Sequence, residues 1–352
     1  MRVMKRTKIG NSSTFFTKTK IIFPNNEPDH KNTFSLYRLP QSATMGCDEG
    51  RRKNLIMLRN NADIRSVSFM LLTAFLLVFL WQYGSELSTL QFVPIYILQL
   101  YMAVVIAVLV HNHQHLPMWK NKWMNILTDN WLTAFYGFPV FGWIPTHNSN
   151  HHVHINKEED YTRTYQVTEK NNLLTLITYP SLSGMKQQKA IVNYMVALYS
   201  ENRRKFWFHM LQVFTMVGII VVALLLDWRK ALWYVIIPQQ VSLFSVLVFN
   251  YVQHIHADEE SPINHSRNFT GWGLNFTLPN NGFHTAHHQS PGIHWSKLAE
   301  KHKEIESQID PRLNEKSFLW FIFRTYFLGA IIPACRTENM RFERMGKMAK
   351  AA

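Results

Sequence analysis

Seventeen of the 352 residues are histidine, and nine of them fall into short clusters with helical spacing. His111 and His115 stand four apart in HNHQH, so on a helix they share one face, and Pro117 stops that helix just beyond them. His147 and His151 repeat the relation in HNSNHHVH with His152 adjacent, and HTAHH places His284 within a turn of His287 and His288. In NYVQH, Asn250 and His254 are again one helical turn apart. Neutral imidazole ligates iron, copper, nickel and zinc. Thiolate chemistry is not on offer, because the only two cysteines, Cys47 and Cys335, have no partner motif. The HExxH of zinc proteases is absent, and the single Glu-x-x-His, Glu27 to His30, runs through a proline.

Such clusters need elements that hold them at one place. Positions 67–83 (VSFMLLTAFLLVFLWQY) and 90–110 are nearly free of charge and close to the roughly 20 residues that cross a hydrocarbon core. A loop at 84–88 joins them into a hairpin. A second hairpin follows over 206–226 and 231–250, in which Pro238, Gln239 and Gln240 interrupt the last span. Polar and helix-breaking residues at that depth face a bundle interior or cavity, or mark a structural kink, two readings that stand level. Shorter apolar stretches at 131–144 and 318–333 read as interfacial or partly buried helices.

Lys and Arg outnumber Asp and Glu by 37 to 23, for a formal charge of +14. The excess lies in the N-terminal segment and between 120 and 205, while the first hairpin loop carries only Glu86. Positive residues gather on the cytoplasmic side, so the termini and the intervening region are expected there; Arg229 and Lys230 in the second hairpin loop run against that pattern. No nucleic-acid-binding signature accompanies the charge, so lipid headgroups are the expected anionic partner and nucleic acid is not.

The expected fold is therefore all-α and integral to the membrane: four transmembrane helices in two hairpins, with a helical cytoplasmic cap carrying the histidine clusters. Positions 1–65 read as a basic extension without periodicity, 66–335 as the membrane domain, and 336–352 as a polar basic tail. If both hairpins enter and leave on one side, the span ends bring His111, His115 and His254 to one depth, and the other two clusters can fold over them. Nine imidazoles then surround one volume, and since one octahedral ion takes about six ligands, two metals are expected, with an all-histidine pair of irons the best match. His113, His154, His256 and His294 lie beside the clusters out of phase, and Asn156 and Asp160 are candidates to orient ligating rings by accepting their second N–H.

The boxes HNHQH, HNSNHH and HTAHH, separated by apolar hairpins, resemble those of the membrane fatty-acid desaturase superfamily, and NYVQH resembles the additional Asn-x-x-x-His site of acyl-CoA desaturases. The resemblance covers about 67–333. It implies that His111, His115, His147, His151, His152, His254, His284, His287 and His288 ligate two irons, with Asn250 acting through water. It implies dioxygen as co-substrate and an acyl-lipid or acyl-thioester substrate. A separate electron donor, a ferredoxin, rubredoxin or cytochrome b5, would dock on a basic surface such as Arg203, Arg204 and Lys205, unless that patch contacts lipid headgroups instead. The implied location is a bacterial inner membrane or the endoplasmic reticulum, with the site on the cytoplasmic side. The spacing departs from acyl-CoA desaturases in the first two boxes, and the context NNGFHTAHHQSPGIHW looks more like acyl-lipid and sphingolipid desaturases or carotenoid ketolases. Desaturation of an acyl chain is the leading expectation. A related hydroxylase or ketolase stays open beside it, as does a non-catalytic membrane metal-binding protein. Aromatics such as Trp131, Phe135, Tyr136 and Trp143 are expected either to line a substrate tunnel or to form an interfacial belt, the two readings standing level.

Overall fold

The computed structural model describes residues 57–351. Among them four helices are long and apolar enough to cross a membrane: α1 (Asp63–Tyr83), α2 (Thr89–His115), α5 (Arg203–Leu226) and α6 (Trp228–His254). Between the hairpins lie α3 (Lys122–Tyr136), a π-helical segment Ile144–His151, and the 29-residue α4 (Leu173–Glu201). After α6 come α7 (His284–Gln289), α8 (Leu298–Ile305), the short apolar α9 (Phe318–Ile331) and α10 (Met340–Ala351). The two-residue strands β1 (Asn268–Phe269) and β2 (Asn314–Glu315) pair in parallel.

Side-chain caps set where the helices start. Ser88 and Gln91 form a capping box at α2, and the Asn121 carbonyl accepts from the Trp123 and Met124 amides at α3. Asn172, Asn202 and Asp227 accept from the first-turn amides of α4, α5 and α6. Gly137, at φ 81°, ends α3 in the left-handed region, where its missing Cβ also lets Gln239 approach.

Three of the spans present apolar side chains outward, as Leu71, Phe75 and Val78 of α1 and Phe214, Val217 and Val221 of α5 do. Such a surface is unstable in water and fits hydrocarbon. The fourth, α2, is the core helix: Val105 to Val110 are all buried, packed by α1, α3 and α6.

The interruption in α6 has a definite solution. Pro238 has no N–H to give the Tyr234 carbonyl four residues back. Gln99 of α2 supplies the donor instead, Nε2 to Tyr234 O at 2.9 Å, and Tyr96 Oη donates to the neighbouring Trp233 carbonyl at 2.9 Å. Gln239 is buried and donates to the Ala134 carbonyl at 2.7 Å, so these residues do face the bundle interior. Lys230, which ran against the charge pattern, donates to the Trp81 carbonyl at 2.7 Å and neutralises the C-terminal end of α1.

Three boundaries differ from expectation. Of the extension expected over 1–65, residues 1–56 lie outside the described residues. Residues 57–65 are tied down: Leu58 bridges Trp119, the Arg59 amide donates to the Met118 carbonyl at 2.7 Å, and α1 already begins at Asp63. The other spans also overrun their apolar runs, because helical hydrogen bonding continues past the hydrocarbon; α2 continues to His115 and α6 to His254. Most of the tail is helix α10, fastened to the cap by Arg341 to Glu169 and Glu259, and by Arg344 to Asp258 and Glu259.

Candidate metal centre

All nine clustered histidines meet at the shared end of the two hairpins, in two groups. His111, His115, His147, His152 and His287 form one, and His151, His254, His284 and His288 the other; within each, one ligand atom per residue lies within 4.8 Å of all the rest. The groups abut, with the His152 and His288 ring centroids 4.5 Å apart.

The division follows from local helix geometry. In a π-helix the backbone bonds run i to i+5 and the turn is wider than in an α-helix, so residues four and five apart fall on either side of one direction. His147 and His152 fall into the same group, while His151, the partner of His147 by the four-residue rule, points into the other. On the α-helical turn of α7, His284 and His288 stay together and His287 goes to the first group.

In the first group the Nε2 atoms of His111, His147, His152 and His287 form a closed ring with separations of 3.1, 3.1, 3.0 and 3.0 Å. His115 Nε2 lies 3.1 Å from both His147 and His152. In the second group the His254, His284 and His288 Nε2 atoms are 2.9, 3.2 and 3.1 Å apart. Two nitrogens each about 2.1 Å from one ion at a right angle lie about 3.0 Å apart.

Protons point the same way. His151 Nδ1–H donates to Asp160 Oδ2 at 2.7 Å, so its buried Nε2, which has no hydrogen-bond partner, presents a lone pair. His254 Nδ1–H donates to the His265 carbonyl at 3.1 Å, leaving Nε2 bare beside two other imidazoles. Lone pairs converging at these distances repel unless a cation lies among them. Each group thus offers a donor set that could hold a metal ion.

Burial, reinforced by neighbouring imidazoles, lowers the pKa of His147, His152, His284, His287 and His288 well below the ordinary value. They stand neutral, as ligands must. Burial opposes the charge of Asp160, but His151 and hydrogen bonds from Thr162 outweigh it and hold the carboxyl below its usual range.

Asp160 is thus one of the two orienting candidates realised. Asn156 accepts from the Thr164 amide and hydroxyl at 2.7 and 3.0 Å and shapes the loop rather than touching a ring. Asn250 belongs to neither group; its amide donates to Tyr179 Oη at 2.6 Å and the Thr162 carbonyl at 3.3 Å, and it borders a cavity with His111, His147 and His284. Of the four aromatics expected along a tunnel, Tyr136 and Trp143 line that cavity, whereas Trp131 and Phe135 stack on each other at 4.1 Å and do not.

The histidines out of phase are mostly structural. Asp63 accepts from Trp295 Nε1 at 2.9 Å and pairs with His294 Nε2 at 3.1 Å, latching the start of α1 to the cap. No local signal marks this contact, since the partners are 231 and 232 residues apart. His113 is buried with Nε2 3.6 Å from Asp129, His256 is buried, and His154 is part-exposed.

The fold and this site define an integral membrane protein with two adjoining histidine clusters, each able to hold a metal ion. The family model described as Fatty acid desaturase matches residues 87–320, so the chain belongs to the fatty acid desaturase family. It matches no curated protein and no solved structure.

Proposed function

We propose that the protein is an oxygen-dependent desaturase that introduces a C=C bond into an acyl chain, working on the cytoplasmic side of its membrane. The observation that carries this reading is the pairing of two neutral imidazole clusters with an apolar cavity that reaches them. His111, His115, His147, His152 and His287 would hold one iron, and His151, His254, His284 and His288 the other. Asn250, both of whose amide hydrogens are engaged, would serve the second iron through water by its carbonyl oxygen.

With dioxygen and two electrons, such a pair of irons supplies an oxidant strong enough to take hydrogen from an unactivated C–H bond. What the chain contributes is placement. Asp160 and the His265 carbonyl keep the Nδ1 protons of His151 and His254 in place, which fixes the ring orientation. Trp143 packs against the His111 and His147 rings at 5.4 and 4.8 Å and walls them from water. Val104, Val108, Leu247 and Phe249 line the approach and hold an alkyl segment against the site. Electrons come from a separate carrier, a ferredoxin, rubredoxin or cytochrome b5. The cytoplasmic assignment rests on the basic residues between 120 and 205.

Expression in a host of known lipid profile, followed by mass spectrometry of fatty-acid methyl esters, tests the reading against a His287→Ala, His288→Ala variant. New products lighter by two hydrogens, absent in the variant, are expected. Products that gain oxygen instead would make the chain a hydroxylase or ketolase, and metal binding without oxygen consumption would make it a carrier.

A further inference from the structure

The cavity at the clusters, about 100 Å³ in volume, does not end blindly in the bundle. A second cavity of about 410 Å³ lies between α4 and α6, and Tyr136, Phe138, Gln187, Ile191 and Leu247 line both. Its outer rim is formed by Gly184, Met185 and Gln188 of α4 and by Gln240, Leu243 and Phe244 of α6.

Two properties locate this mouth in the bilayer. Phe244 is 45% exposed on a membrane-spanning helix and Met185 66% exposed on α4, whose outward face also carries Leu174, Ile177, Val192 and Val196. At 1.5 Å per residue, Phe244 lies about 15 Å along α6 from the ligand end at His254, well inside the apolar span. The walls also lack charge. Among the described residues lining either cavity there is no Lys, Arg, Asp or Glu, and the polar atoms at the mouth are those of Ser181, Gln187, Gln188 and Gln240. Lys186 and Lys189 of α4 stand exposed beside the mouth but line neither cavity, and ester or amide groups match the amide side chains that do.

Resting on the desaturase reading, we infer that substrate enters sideways from the bilayer between α4 and α6, as an acyl chain still attached to a membrane lipid by an ester or amide linkage. Gln187, whose Nε2 donates to the Ser183 carbonyl and hydroxyl at 3.2 Å, stands at the throat between the two cavities. Gly184 keeps the mouth open: a Cβ built on it meets nothing within 4 Å. A large side chain there fits without strain on the fold and fills the passage.

The test is photo-crosslinking of the purified full-length chain in phosphatidylcholine vesicles that contain phosphatidylcholine with a diazirine on its stearoyl chain, with labelled peptides mapped by mass spectrometry. A parallel arm supplies the same diazirine chain as a soluble coenzyme A thioester. Labelling of Ile191, Leu247 or Phe249 by the lipid probe is expected in the native chain. It should fall about tenfold in Gly184→Trp, but not in Gly218→Trp, where the added Cβ on α5 likewise meets nothing within 4 Å. Unchanged labelling in Gly184→Trp overturns the proposed mouth. Deep labelling by the thioester alone, or by neither probe, overturns the lipid-borne substrate. The readout needs no turnover, so it is separable from the reaction: blocked labelling with oxygen-bearing products would leave the mouth standing and sink the desaturase reading.

Discussion

His151 and Asp160 are joined through Nδ1 and Oδ2 at 2.7 Å with both side chains fully buried, so one carboxylate fixes the tautomer of one imidazole in the four-histidine cluster. Thr162 Oγ1 donates to the other oxygen of that carboxylate at 2.7 Å and holds it in turn. Groups of this kind set metal affinity by about 10–100-fold. Asp160→Asn is expected to weaken metal retention in that cluster by this order, read as metal content after dialysis against a chelator. Full retention would remove Asp160 from the site.

The division into clusters of five and four histidines makes a second prediction. His287→Ala and His284→Ala each strike a different cluster. Elemental analysis should show each variant losing about half of the native metal, and the double variant nearly all of it. Single variants that retain the native content would contradict the division.

The interruption of α6 can be probed by exchange of donors. Gln99→Leu strands the buried Tyr234 carbonyl and should cost about 1–3 kcal/mol. Pro238→Ala returns an N–H four residues on, so the same Gln99→Leu change should cost less in that background. Melting temperatures of the four proteins in one detergent measure the coupling, and simple additivity would refute it.

The latch at Asp63 is predicted to matter for stability. Asp63→Ala leaves Trp295 Nε1 and His294 without their acceptor inside the protein, at about 1–3 kcal/mol for each unmet group. A lower melting temperature at pH 7 is expected, and a melting temperature equal to that of the native chain would mean the latch is idle.

Asp129 should show in the pH profile. Burial raises its carboxyl from 3.8 to about 7, against a smaller opposing effect of Gln114, whose Nε2 donates to it at 2.8 Å. The folded chain therefore holds this proton more tightly than the unfolded chain. The associated stability is complete below about pH 4, declines as pH rises towards 7 and is gone above it. Asp129→Asn should flatten that part of the melting-temperature profile relative to the native chain; parallel profiles would show that Asp129 titrates normally.

Much of this protein is legible in its sequence, because hydrophobic length and four-residue spacing are local properties. Four apolar runs announce the spans, and the wide separation of the three boxes along the chain, with His254 at a span end, already requires the hairpins to return to one side. Asp160 could be singled out because it stands nine residues from the ring it serves. Asp63 could not, since nothing near it in sequence hints at His294 and Trp295. Residues 57–65 look like part of an unstructured extension for the same reason: their partners, Met118 and Trp119, act through backbone groups, which leave no mark on side-chain pattern.

Composition and periodicity by themselves determined the membrane-spanning helices, the shared side of the histidines and the imidazole character of the donor set. Tertiary structure alone decided which histidine joins which cluster, because the π-helical turn at 144–151 is wider than an α-helical one and four-residue spacing no longer fixes a shared face, and residue spacing cannot reveal which hydrogen-bond ladder a backbone will adopt. The same holds for the open path at Gly184. A cavity is a property of how α4 and α6 lean against one another, and no residue encodes it singly.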